Sequence, residues 1–224
     1  MTIDATLDNL NFSLVSPAIP NHKLPEGRPL KLAIMASGNG SNFTAIAEAI
    51  KAGKLNAKIQ VVIFNNPEAY VKVRAENLGI TSILLNHRDY KNREEFDAKI
   101  TDTLQKFDVE WVILAGWMRL LTPVLIDAFP DKIINIHPSL LPSFKGVRAI
   151  EQALAAKVKI TGCTVHLVCL EMDSGPILMQ AAVPILEDDT AETLHQRIQI
   201  QEHRILPAAI ALAAHRQMAT VVSS

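Results

Sequence analysis

The 224-residue chain reads as an α/β protein built on a doubly wound, mostly parallel sheet, with a mixed β part added towards its C-terminal end. Three observations give this class. Short β-branched apolar runs alternate with amphipathic helical stretches from Lys31 to Phe129, which implies right-handed crossovers between parallel strands. A glycine-rich turn joins the first run to the first helix. Beyond Gly146 the order changes: two alternating runs, Ile160–Val168 and Ile177–Val183, are separated only by the turn Glu171–Pro176, as antiparallel neighbours are.

The elements follow in order. Residues 1–29 hold Pro17, Pro20, Pro25 and Pro29 among polar residues and are expected to be a loose extension; residues 30–224 form a single domain. Lys31–Ala36 is the first buried strand. The turn Ser37–Asn42 leads into a helix with Phe43, Ile46, Ala47 and Ile50 on one face, stopped by Gly53. Ile59–Phe64 is a second strand, Ala69–Leu78 a helix closed by Gly79, and Ile80–Leu85 a third strand. Phe96, Ile100, Leu104 and Phe107 recur at helical spacing, so 92–107 is a helix. Trp111–Ala115 is the fourth strand, and Pro123 opens a short helix over 122–129. Ile133–His137 is a strand and Val147–Ala156 a helix. The last element begins at Asp188, turns Leu194, Ile198 and Ile205 inward, and is expected to break near Pro207.

Composition excludes several classes. The net charge of −1 gives no basic field for nucleic acid. No apolar run reaches the length of a membrane span, and the first twenty or so residues lack the charged start of an export signal. Cys163 and Cys169 fall in one expected strand, where six residues span roughly 20 Å, too far for a disulfide. Free thiols and a cytoplasmic location follow. No His and Cys spacing suits a metal.

The candidate chemistry sits in the stretch 133–146. Asn135 and His137 break an apolar strand two residues apart, so they point to one side of an extended chain. Pro138 ends the strand. An amide donor beside an imidazole can stabilise an oxyanion and move a proton; singly, they read as a capping Asn and a core His. In a doubly wound sheet, ligands bind beyond the strand ends at the switch between the first and fourth strands. That rule gathers the loops 37–42, 116–121 and 135–146. The turn Gly38-Asn39-Gly40-Ser41-Asn42 fits one phosphate at a helix start, or is simply a tight turn. It has no third fingerprint glycine and no Gly-Lys-Ser/Thr, which argues against a dinucleotide. Asp173, Arg93 and Arg119 carry charge suited to this neighbourhood. Glu202 and His203, read alone, form an exposed helix face.

Taken together, Ser-Gly-Asn-Gly-Ser-Asn (37–42), Ala-Gly-Trp-Met-Arg-Leu-Leu (115–121), Asn-Ile-His-Pro-Ser-Leu-Leu-Pro (135–142), Gly-Cys-Thr-Val-His (162–166), Met-Asp-Ser-Gly-Pro (172–176) and Gln-Glu-His (201–203) resemble the folate-dependent phosphoribosylglycinamide formyltransferases of purine biosynthesis. The resemblance runs from about residue 31 to 214. It implies the formyltransferase fold, a Rossmann-like half followed by a mixed β extension, and a cis Leu141–Pro142 bond. It implies Asn135, His137 and Asp173 as the catalytic group. Gly40, Ser41, Asn42, Gln199, Ile200, Gln201 and Glu202 would hold the glycinamide ribonucleotide. Arg93, Met118, Arg119, Leu120, Leu121, Asn135, Cys169, Leu170, Glu171, Met172 and Asp173 would hold 10-formyltetrahydrofolate, a co-substrate. Small molecules are then the only partners, with neither nucleic acid, membrane nor metal, and the chain is a monomer or homodimer. The sequence departs from the family at Val147-Arg148-Ala149, where many relatives carry His, and at Cys169-Leu170, where the loop is often acidic.

Three rivals share parts of this pattern. A formyl-folate deformylase gives the group to water, but usually carries an N-terminal regulatory domain, which about thirty loose residues cannot form. It also typically has a second His where Pro138 stands. A methionyl-tRNA formyltransferase calls for a further C-terminal domain and a basic surface. A non-catalytic nucleotide or folate sensor has no need of an intact Asn135, His137 and Asp173.

Overall fold

A computed structural model of the chain describes residues 14–19 and 28–222. The chain order is β1 (Val15–Ser16), β2 (Leu30–Ala36), α1 (Ser41–Lys51), β3 (Ala57–Phe64), α2 (Val71–Asn77) and β4 (Ser82–Leu84). A 3₁₀ turn (His87–Asp89) precedes α3 (Arg93–Lys106), β5 (Trp111–Leu114), α4 (Pro123–Ala128) and β6 (Ile133–His137). Then come α5 (Ala149–Ala155), β7 (Ile160–Leu167), β8 (Ile177–Pro184) and α6 (Ala191–Val222). Among the described residues the strands form one sheet in the order β1-β8-β7-β6-β5-β2-β3-β4. Strands β2 to β6 are parallel, whereas β7, β8 and β1 pair antiparallel. The first and fourth strands of the parallel half, β2 and β5, are neighbours, so the switch point lies between them.

The parallel strands read as unbroken apolar runs because both faces are covered. In β2, Leu32, Ile34 and Ala36 enter one core with Phe43, Ile46 and the α6 residues Leu194 and Ile198. The alternate residues Ala33 and Met35 enter a second core with Phe96, Ile100 and Leu104 of α3. Helix α3 begins where Asn92 Oδ1 accepts the Glu95 N–H at 2.8 Å, a cap that satisfies a free donor. Pro123 opens α4, where no N–H is required.

Several expectations need correction. The last helix does not break at Pro207: α6 runs through it. A proline inside a helix loses one hydrogen bond and costs about 3 kcal/mol. Here Ile205, Leu206, Ala209 and Ile210 are fully buried around it, and that packing holds the helix together. Of the extension expected to be loose, residues 1–13 and 20–27 lie outside the described residues. Val15 and Ser16 are not loose, since they pair with Ala181 and Gln180 at the edge of β8, and Val15 is buried. Strand β7 ends at Leu167, so Cys169 lies beyond it; Cys163 and Cys169 are both free thiols.

The connection from β7 to β8 is more than a turn. Register places Leu167 against Ile134, near the start of β6, yet Asp173 reaches Gly146 beyond its end. Residues 168–176 therefore double back over the sheet face. Gly175 permits this: a Cβ there would meet the Leu167 carbonyl oxygen at 1.8 Å. Gly175→Ala is expected to destabilise the protein by about 3 kcal/mol, the upper range of overpacking. Denaturant titration checks this, and an unchanged midpoint would contradict it.

Candidate active site

Two groups of side chains flank the carboxyl end of β6. The first is built on Asn135, His137 and Asp173, which the fold brings together as expected. His137 is buried at 6% exposure, and its Nδ1 lies 3.5 Å from Asp173 Oδ2. Its Nε2 lies 2.8 Å from the Phe144 carbonyl, which only accepts, so Nε2 carries the proton. Both ring nitrogens thus face protein groups. The loop that supplies this carbonyl is braced from within. Ser139 Oγ donates to Ser143 O at 2.6 Å, and Thr164 Oγ donates to Ser139 O at 2.7 Å. The Leu141–Pro142 bond in this loop is cis, as the resemblance implies.

A fourth member, His166, was not singled out from the sequence. It lies opposite Asn135 in the β6–β7 ladder. Its Nδ1 donates to the Leu167 carbonyl at 2.8 Å. Its Nε2 lies 3.1 Å from Asn135 Nδ2 and 3.7 Å from Asp173 Oδ1. With a neutral ring, Nε2 accepts one amide proton of Asn135 and fixes that amide, leaving the second N–H free. With a charged ring, Nε2 faces the carboxylate as a cation. In the sequence, His166 closes the 162–166 stretch without a role of its own, and the pairing register is what sets it beside Asn135.

Asp173 adopts a left-handed conformation, φ 52°, which Asp tolerates better than most residues. Burial pushes its carboxyl upward. The contact from His166, the Gly146 N–H at 2.8 Å and the charge facing it on His137 outweigh burial and hold it below the usual carboxylate value.

The second group lines a cavity of about 250 Å³ between the turn 37–42 and α6. Gly40, Ser41, Asn42, Gln199 and Glu202 all reach it, joined by His195. Residues 195, 199 and 202 share one face of α6, at helical spacing. Gln199 Nε2 donates to Ser41 Oγ at 2.8 Å, and Asn42 Nδ2 donates to Glu202 Oε2 at 2.9 Å. Glu202 is no exposed helix residue: it is 5% exposed. Burial raises its carboxyl above the ordinary value, against the opposing effects of the Asn42 bond and of His195. Helix α1 is preceded by Gly40, φ 78°, with no side-chain cap, so its first N–H groups have no capping oxygen and suit an anion. A Cβ on Gly40 would also strike Val71 of α2 at 2.5 Å.

Not every expected site residue lies here. Ile200 is 60% exposed and Gln201 accepts from Arg204; neither lines the cavity, because helical spacing turns them away. Arg93 is exposed on the first turn of α3, also away from it. Met118 lines the cavity, and its N–H donates to Ser37 Oγ at 2.9 Å. Leu120, Leu170, Met172 and Val147 are exposed apolar side chains. Arg119 is half-buried with an unpartnered Nε, and Leu121 packs against the second core. Cys169 Sγ contacts the Glu171 carbonyl at 3.3 Å, and Glu171 pairs with Lys145 at 3.4 Å. Among the described residues, no group of three or more His, Cys, Asp or Glu is placed to hold a metal, and no helix is long and apolar enough to cross a membrane.

Comparison with known proteins gives the family. A formyl transferase family model matches residues 30–210. The phosphoribosylglycinamide formyltransferase of Bacillus subtilis is 45% identical over 180 residues, covering 80% of this chain and 92% of that protein. The human trifunctional purine biosynthetic protein adenosine-3 is 42% identical over 201 residues, 90% of this chain; the chain spans only 20% of that relative's length. The crystal structure of glycinamide ribonucleotide transformylase 1 from Symbiobacterium toebii superposes with a TM-score of 0.83 at 43% identity, covering 85% of this chain and 91% of that one. The chain belongs to the formyl transferase family, among the phosphoribosylglycinamide formyltransferases.

Proposed function

We propose that the protein transfers the formyl group of 10-formyltetrahydrofolate to the glycinamide amine of 5'-phosphoribosylglycinamide, a step of purine biosynthesis. The observation that carries this is that a cavity walled by a turn suited to one phosphate reaches Ile136 and Pro138, the chain neighbours of His137 in the Asn135–His137–Asp173 cluster. Gly40, Ser41 and Asn42 receive the phosphate. Glu202 accepts from a ribose hydroxyl or the glycinamide ammonium, with Gln199 beside it. The exposed Met118, Leu120, Leu170 and Met172 suit the flat rings of the folate, with Asp173 at its reactive end.

The amine attacks the formyl carbon, a C–N bond forms, and the carbonyl oxygen becomes an oxyanion. The free N–H of Asn135 is the donor best placed for that oxygen. His137 can add a second donor only by exchanging its bond to Phe144 for one to the substrate. The bond from carbon to folate N10 then breaks. N10 gains a proton and the amine loses one, and the His137–Asp173 pair relays it, directly or through water. No metal is required. The same reading places the protein in the cytoplasm, as a monomer or homodimer.

Asn135→Ala is expected to lower kcat by about 10²–10³, as for other oxyanion donors, with both substrate affinities little changed. His137→Ala and Asp173→Asn should each do at least as much harm. Near-normal turnover in all three would leave them only structural roles.

The acceptor is tested by folate release, followed by absorbance, with and without the glycinamide ribonucleotide. Release is expected only when it is present. Equal rates in both conditions would make water the acceptor and the protein a deformylase.

The buried Glu202 gives a pH signature. Its folded-state value is raised, so the folded protein binds that proton more tightly than the unfolded chain does. Stability from this group is full below the ordinary carboxyl value and falls as pH rises through the raised one. Glu202→Gln removes the loss, so its Tm relative to that of the parent should rise as the pH is taken up from the ordinary carboxyl range. A Tm difference that does not change with pH would contradict the assignment.

A further inference from the structure

The turn that meets the phosphate is gripped from behind by a residue outside the cavity. Arg74, on α2, donates from Nε to the Asn39 carbonyl at 2.8 Å. It reaches Asn39 Oδ1 from Nε at 3.1 Å and from an Nη at 2.7 Å. Its other Nη contacts Thr44 Oγ at 3.3 Å, and that hydroxyl contacts Gly40 O at 3.3 Å. The guanidinium also lies 5.2 Å from the Tyr70 ring centroid, a cation–π contact that fixes its plane. One planar fork therefore holds both the main chain and the side chain of a single turn residue, and touches α1 as well.

Peptide geometry makes this grip directional. In a trans peptide the carbonyl and the next N–H point in opposite directions. The Gly38 carbonyl accepts from Val71 N at 3.1 Å, the Asn39 carbonyl from Arg74, and the Gly40 carbonyl from Thr44 N at 3.1 Å. With these three carbonyls turned towards α2 and α1, the N–H groups of Asn39, Gly40 and Ser41 turn the other way, towards the cavity. Gly38 is held by main chain of α2 and Gly40 by α1 itself. Asn39, between them, depends on a side chain.

We propose that Arg74 is a positioning residue for phosphate recognition: by fixing Asn39 it aims the N–H groups of the turn at the substrate's phosphate. This rests on the reading that the turn receives that phosphate. Arg74 acts through the turn, not on the reacting atoms. The grip needs the fork and not merely the charge, because two acceptors on one residue must be met at once.

The test compares the glycinamide ribonucleotide with its dephosphorylated riboside as formyl acceptor. In Arg74→Met, kcat/KM for the ribonucleotide should fall on the order of tenfold or more through KM, the size expected for loss of a charge-assisted bond. The value for the riboside, and KM for formyl-folate, should stay within about twofold. Arg74→Lys keeps the charge without the fork and should behave like Arg74→Met. Asn39→Ala, which leaves α2 intact, should lower the ratio of ribonucleotide to riboside in the same way if the Arg74 variants fold poorly. Equal losses on both acceptors, or full recovery in Arg74→Lys, would overturn the proposal. A parent enzyme that does not prefer the ribonucleotide would instead overturn the underlying reading of the turn.

Discussion

The site depends on β6 having a parallel neighbour on one edge and an antiparallel neighbour on the other. Had β7 also run parallel, its following loop would leave at the same end of the sheet as the loop after β6. Because β7 runs back, its loop emerges near the start of β6 and must return across the face. That return delivers Asp173 to His137 and Gly146. The same ladder sets His166 opposite Asn135. One reversal of direction thus brings together four polar groups from three segments of chain. At Gly175 the returning chain passes so close to Leu167 of β7 that no side chain fits.

The parallel half was legible because its signals are local. Strands covered on both faces are continuous apolar runs, and their helices carry one apolar stripe each. Asn135 and His137 stood out because two polar residues in such a run require a partner or a purpose. Glu202 was not legible in the same way: a carboxylate on a helix reads as solvated, and only the packing of α6 against α1 buries it. His166 hid in a strand where alternate polar residues are ordinary. Pro207 misled because a local helix breaker is overruled by long-range burial, which no local pattern reports. Ile200 and Gln201 follow from counting a motif as contiguous, whereas a helix offers its neighbours only every third or fourth residue.

The two groups at the site also differ in their electrostatic surroundings. Asp173 is surrounded by donors and two imidazoles, so its negative charge is stabilised despite burial. Glu202 has one amide and a distant imidazole, so its charge is costly. A carboxylate that is poorly compensated in the empty protein gains most from a cationic or donor ligand. Asp173 holds the protein's own histidines in order, whereas Glu202 has unused capacity facing a cavity.

The cavity reaches β6 at Ile136 and Pro138, while Asn135 and His137, alternate along the strand, look to the opposite face. On the proposed reading, the acceptor's cavity and the catalytic side chains lie on opposite sides of a single ribbon of polypeptide, and the reacting groups meet at its tip. The separation between them is set by the thickness of a main chain, which no side-chain substitution alters. Such an arrangement lets each binding region drift in sequence to accept altered ligands while the distance bridged in the transfer stays constant.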